Sequence, residues 1–133
     1  MSFSGSFDDR AAIRELLERY ADAVFRRDPA QWGACWAQDG VWRLMGMEIK
    51  GREAIITAWT QAMAAFEVAA FFVQPGALAI EGATGHGRSW THEVLKARDG
   101  SLRRVVGAYE DRFVKEADGW RFSARSFQVV LEG

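Results

Sequence analysis

The sequence predicts an α+β fold, with three N-terminal helices packed in a curved antiparallel sheet. Two observations carry that expectation. Up to about residue 66, apolar residues recur at the three-to-four spacing of helices, and from Val68 onward they alternate with period two. The alternating half is also cut by short turn signals, Glu81-Gly82-Ala83-Thr84, Arg98-Asp99-Gly100-Ser101 and Ala117-Asp118-Gly119, as in a meander of long strands. A chain of 133 residues suits one domain, 1–133, with residues 1–8 expected to be flexible. The sheet is expected to curl around the helices, because nothing else in the chain can cover its apolar face.

Asp9 to Arg27 reads as the first helix. Ile13, Leu16, Leu17, Tyr20 and Val24 form its apolar stripe, and Arg14/Glu18, Glu15/Arg19 and Asp22/Arg26 place opposite charges four apart on the other face. Ser6 with Asp9 is a capping pair, and Pro29 ends the helix. Asp28-Pro29 opens a short second helix carrying Trp32 and Trp36 on one face beside Cys35, and Gln38-Asp39-Gly40 ends it. Val41 to Met45 follows as a short strand, Gly46 to Gly51 as a loop and Arg52 to Phe66 as the third helix. Val68 to Ile80 is an extended strand interrupted at Pro75-Gly76, where the missing amide hydrogen forces a bulge or bend. Gly85 to Ala97, Leu102 to Glu116 and Trp120 to Leu131 complete the sheet.

Net charge is −1 with acids and bases interspersed, which argues against a nucleic-acid or membrane-surface partner. The apolar run around Val68 to Val73 is too short to span a bilayer, and residues 1–9 lack the pattern of a secretory signal. A single cysteine excludes an internal disulfide and suits a reducing compartment, so a cytoplasmic location is expected. No cofactor or metal is expected, because clustered Cys/His ligands and phosphate-binding glycine spacing are both absent from the sequence. Six Trp and nine Phe either build the core or line a cavity for a flat apolar ligand. Trp36, Trp42, Trp59, Phe25, Phe66, Phe71 and Phe72 are expected to share a wall between helices and sheet, with Phe25, Trp36, Trp42, Trp59, Phe71, Phe72 and Arg125 as ligand-binding candidates.

Glu93 is the leading acid–base candidate. It stands mid-strand, where glutamate is disfavoured, on a face otherwise made of Gly87, Ser89, Thr91 and Leu95. Enclosure would raise its pKa toward neutrality, whereas on a solvent face it would pair with Arg104 or Arg125. The opposite face carries His86, Arg88, Trp90, His92 and Val94. Either face can line the cavity, the other then meeting a partner subunit. Tyr20 is a second candidate, since a buried phenol needs a hydrogen-bond partner and a ligand can supply it. His92 ranks lower, as do Glu110 and Asp111, one of which points inward and either joins Glu93 as a dyad or pairs with an arginine. Arg125 either holds an anionic ligand tail or pairs with Asp111, and Cys35 reads as small core filler.

The segments Ile13 to Asp28, Trp36 to Trp42, Gly51 to Ala54, Gly107 to Asp111 and Asp118 to Arg125 resemble the NTF2-like superfamily, and within it the SnoaL-like group. The resemblance covers nearly the whole chain and implies a cone with a deep pocket and homodimers packed through the sheet. It specifies activity weakly, since the superfamily holds dehydratases, isomerases, cyclases, hydrolases and non-enzymes. Tyr20 matches the hydrogen-bonding tyrosine of related steroid isomerases and bile-acid dehydratases. The isomerases' carboxylate base falls near Leu44. The aspartate of scytalone-dehydratase-like members falls at Phe25, their first histidine near Phe71 or Phe72, and their second near Glu93, so that Asp–His pair is missing. The resemblance and the residues together imply a cofactor-free isomerase or dehydratase acting on an apolar cyclic molecule, or a non-catalytic ligand-binding or dimerisation module.

Overall fold

The computed structural model describes residues 2–133; Met1, part of the expected flexible tail, lies outside them. Helix α1 runs from Phe7 to Arg26 and buries Ile13, Leu16, Leu17, Tyr20, Ala23 and Val24. Its cap is Ser6, whose Oγ accepts from Asp9 N at 3.1 Å, satisfying one of the amides a helix start leaves free. Arg27 closes the other end in the left-handed conformation, and its guanidinium donates to the carbonyls of Met63 and Phe66. Within the expected tail, Ser4 N donates to Leu78 O, and Ile80 N donates to Ser4 O. Of the three expected charge pairs on α1, Asp22–Arg26 forms an ion pair.

Helix α2 is Pro29–Ala34, capped by Asp28 accepting from Gln31 N at 3.0 Å. It is shorter than the expected helix. Strand β1, Trp36–Leu44, begins where the second tryptophan was expected to be helical. The two indoles still meet, with ring centroids 5.8 Å apart. The expected loop after β1 contains a strand, β2 (Met47–Lys50), paired antiparallel with β1 through a turn in which Met45 and Gly46 both have positive φ. Helix α3 covers Arg52–Met63 and stops short of Phe66, which instead opens β3 (Phe66–Glu81). Strands β4 (Thr84–Ala97), β5 (Leu102–Glu116) and β6 (Gly119–Glu132) follow as a meander.

The sheet order is β2-β1-β6-β5-β4-β3, all antiparallel except that β1 joins β6 in parallel, a departure from the all-antiparallel expectation. Helices and sheet enclose an aromatic core. Trp32 stacks on Trp59 at 4.6 Å, and Tyr20 touches Trp32, Phe71 and Phe122. Trp32 is fully buried, and truncating such a ring to alanine costs about 3–5 kcal/mol.

Two register shifts decide which side chains face this core. In β3 the pairing with β4 slips between Pro75 and Leu78, at the proline the sequence marks as a break. In β6, Arg112 pairs with Ala124 but Phe113 pairs with Phe122, so Ser123 is an extra residue. Strict alternation from Trp120 and Phe122 would turn Arg125 outward. The bulge turns it inward.

Candidate functional site

In β4 the buried positions are Gly85, Gly87, Ser89, Thr91 and Leu95, with Glu93 partly buried among them, while His86, Arg88, Trp90 and His92 are exposed. The small-residue face is therefore the inner one. Near the Leu95 end of the strands, a cavity of about 260 Å3 opens between the inner face and the helices. Its depth is walled by Tyr20, Trp42, Trp59, Phe71 and Tyr109, and exposed Met45, Arg103 and Val129 stand at its mouth. A larger depression of about 610 Å3 lies at the other end of the same strands, lined by Ser4, Glu81, His86 and Arg112. It contains neither Tyr20 nor Glu93.

Among the described residues, Glu93 is the one carboxylate lining the apolar cavity. Burial pushes its pKa up to about 7, with the charges of Arg103 and Arg125 pulling the other way. Neither Arg104 nor Arg125 forms an ion pair with it among the described residues: the nearest buried arginine is engaged elsewhere. Tyr20 and Tyr109 form the phenolic part of the wall. The Tyr109 oxygen accepts from Trp42 Nε1 at 3.2 Å. Burial raises both phenols, Tyr20 well above its ordinary value. The adjacent Tyr109 raises Tyr20 further. For Tyr109 the Arg125 guanidinium opposes that rise, the Glu93 carboxyl adds to it, and the hydrogen bond from the Trp42 indole again opposes it.

Behind the phenols sits a buried polar cluster. Arg125 is 0% exposed, and its Nε and Nη2 donate to the two Asp111 oxygens at 2.7 and 3.2 Å. Ser89 Oγ accepts from Arg125 Nη2 and donates to Asp111 Oδ2, both at 3.0 Å. With both oxygens accepting from the guanidinium, Asp111 is the carboxylate; burial raises its pKa and Arg125 opposes that. The guanidinium carbon lies 3.6 Å from the Tyr109 ring centroid, 4.3 Å from that of Phe122 and 4.6 Å from that of Tyr20.

Several expected neighbours lie elsewhere. Phe25 and Phe72 are 46% and 55% exposed and meet each other edge to face at 5.3 Å, outside the helix–sheet wall. The reason is phase: Val24, one residue earlier on α1, takes the inward position, and Phe72 points away from Phe71 across its strand. Trp36 is core, packed on Trp32, Trp42 and Phe122, and does not line the cavity. Arg125 supports the wall from behind. Asp111 does point inward, but it binds Arg125 and Ser89 rather than Glu93, so the carboxylate dyad is not formed; Glu110 points outward to Arg88. His92 is on the outer face near Phe72. Trp42, Trp59, Phe71, Tyr20 and Glu93 do share the cavity. Tyr109 was not singled out by sequence reasoning, although alternation places it on the same face as Asp111. Cys35 is buried, which pushes its thiol up to about 11, and it packs in the core. Among the described residues, no group of three Cys, His, Asp or Glu side chains could hold a metal ion, and no helix is long and apolar enough to cross a membrane.

Curled sheet, short helices and a pocket between them define the class of protein, an α+β NTF2-like fold. Residues 5–126 match the SnoaL-like domain, and the chain belongs to that family. A candidate aromatic ring hydroxylase from Novosphingobium aromaticivorans has a similar structure, with a TM-score of 0.90 at 22% identity over 98% of this chain and 95% of that one. A protein of unknown function from Mycobacterium tuberculosis gives 0.86 at 22% identity, over 94% and 78% of the two chains. A hexachlorocyclohexane dehydrochlorinase gives 0.83 at 17% identity, over 93% and 86%. These likenesses establish the fold. No curated protein matches the sequence.

Proposed function

We propose that this protein is a cofactor-free isomerase or dehydratase that moves a proton on an apolar cyclic substrate. The observation that carries the reading is Glu93: a carboxyl with a pKa of about 7 and no ion pair among the described residues, lining a largely apolar cavity together with the phenols of Tyr20 and Tyr109. Near neutral pH a useful fraction is carboxylate, yet the protonated form is within easy reach. In the proposed step the carboxylate takes a proton from a carbon beside a carbonyl. The C–H electron pair moves into a new C=C bond and the carbonyl pair onto oxygen. The phenolic wall stabilises that oxygen by hydrogen bonding, an effect worth about 3 kcal/mol per well-placed donor. Returning the proton at another carbon isomerises the substrate; giving it to a β-hydroxyl releases water and leaves a dehydrated product.

The test uses 2-tetralone, a two-ring ketone with exchangeable α-hydrogens. Deuterium uptake from heavy water, followed by NMR, is expected to exceed the buffer rate, to rise as pH climbs through about 7, and to vanish in Glu93→Gln. Tyr20→Phe is expected to slow exchange. If 2-tetralone binds without accelerated exchange, the protein is instead a ligand-binding module. The specific support for that second reading is that the α1 residues lining the cavity are Tyr20 and Val24, with no acid on the helix facing Glu93.

A homodimer is part of the proposal, as is a cytoplasmic location. The outer sheet face exposes Trp90 and Phe72 beside His92, and a second copy of the chain is the proposed occupant. Sedimentation equilibrium is expected to give twice the chain mass, and Trp90→Lys to give the monomer.

A further inference from the structure

We infer that Tyr109, rather than Tyr20, is the residue that donates a hydrogen bond to the ligand's oxygen, and that the cavity selects a ring bearing a carbonyl or hydroxyl over one bearing only carbon or halogen. This rests on the proton-transfer site proposed above and names its oxygen-binding residue.

Hydrogen-bond valence separates the two phenols. A phenol has one hydrogen to give and two lone pairs to fill. The Tyr109 oxygen accepts from the Trp42 indole at 3.2 Å, whereas no side-chain hydrogen bond orients the Tyr20 hydroxyl among the described residues. With its accepting side engaged, Tyr109 keeps its own O–H to direct elsewhere, and the space it lines is the cavity shared with Glu93. The Tyr20 hydroxyl, with no such partner to fix its direction, is the less organised of the two phenols.

The surroundings favour the same assignment. The guanidinium of Arg125 lies 3.6 Å from the Tyr109 ring centroid but 4.6 Å from that of Tyr20. A cation so close stabilises negative charge growing on Tyr109, which makes its O–H the stronger donor. The guanidinium is itself fixed by Asp111 and Ser89. Phe127 presses on the other side of the Tyr109 ring at 4.9 Å. That contact is possible because Gly107 has no side chain: a Cβ there would come within 2.2 Å of the Phe127 ring. Tyr109 therefore has little freedom to turn away. A leaving chloride needs no proton, whereas an oxygen that gains charge does, so a donor held this firmly suits oxygen chemistry.

The decisive experiment compares 1-tetralone, labelled with carbon-13 at the carbonyl, with tetralin, the same ring system without oxygen. Binding of each is measured by fluorescence quenching of the tryptophans, and the carbonyl stretch by infrared difference spectroscopy. Wild-type protein is expected to lower the carbonyl frequency relative to hexane solution. Tyr109→Phe is expected to abolish that shift and weaken 1-tetralone about tenfold while leaving tetralin affinity unchanged. Tyr20→Phe is expected to retain most of the shift, and Trp42→Phe to retain part of it. A shift that survives Tyr109→Phe, or one that is lost in Tyr20→Phe alone, overturns the assignment. So does wild-type protein that binds tetralin as tightly as 1-tetralone. Tetralin binding to the variants shows that the cavity is still formed. If wild-type protein binds neither compound, the pocket reading itself falls and this inference with it, whereas exchange of 2-tetralone without a Tyr109-dependent shift removes only the inference.

Discussion

Two carboxylates sit on the inner face of neighbouring strands and are treated in opposite ways. Asp111 on β5 is clamped by a buried guanidinium and a serine hydroxyl, with every partner supplied by the protein. Glu93 on β4 is enclosed by rings, lacks such a clamp, and is driven up to about 7 by burial. In the first arrangement both carboxylate oxygens already accept hydrogen bonds, so Asp111 stiffens the wall rather than meeting a ligand. The second leaves a proton-binding group waiting in an apolar space. Burial alone does not make a site; the missing partner does.

Removing the clamp is the harshest way to break the contrast. Arg125→Leu leaves Asp111 buried without its counter-charge and is expected to cost about 3–5 kcal/mol in urea unfolding. Arg125→Leu combined with Asp111→Leu is expected to recover much of that loss. A single variant costing under about 1 kcal/mol would mean that the clamp contributes little.

Glu93 responds in the other direction. Its folded pKa of about 7 lies above the ordinary 4.5, so between those values the folded chain binds more protons than the unfolded one. Stability attributable to this group is full below about pH 4.5, declines as pH rises through the window, and is gone above about 7. Glu93→Gln is expected to flatten that decline and to exceed wild type by up to about 3 kcal/mol at pH 8, with near parity at pH 4. Urea titrations across that range measure it, and an unchanged slope would place the carboxyl in water.

Smaller changes sharpen the comparison. Ser89→Ala removes one hydrogen-bond partner from the clamp and is expected to cost about 1 kcal/mol, leaving the exchange of 2-tetralone intact. Arg103→Gln, at the cavity mouth, removes a charge that favours ionised Glu93. It is expected to move the midpoint of the exchange profile upward by a few tenths of a unit, about the size of a screened surface interaction.

Much of this was legible in the residues. Leu102 to Glu116 reads as a strand with the limits the structure shows, and the Ser6 and Asp28 caps act as their types predict, because caps and alternation are local. Trp36 was harder. Its spacing from Trp32 fits a helix face, yet it begins β1, since Phe122 N donates to Cys35 O and draws the chain into the sheet. Phe25 and Val24 differ by one position on the same helix, and only packing against β3 shows which is inward. Tyr109 could be tied to Asp111 by alternation, but nothing local says that their face is the buried one.

The three helices and the four-strand meander, the aromatic richness and the presence of a lone mid-strand glutamate follow from the chain read as text, because helix and strand periods and turn residues act over a few positions. Which face of β4 is enclosed, the inward turn of Arg125 and the meeting of Glu93 with Tyr20 and Tyr109 arise only on folding. The added residue at Ser123 sets the turn of Arg125, while the pairing of β4 with β3 and β5 and the packing of α1 on the sheet set the rest, and all depend on contacts between segments far apart in the chain.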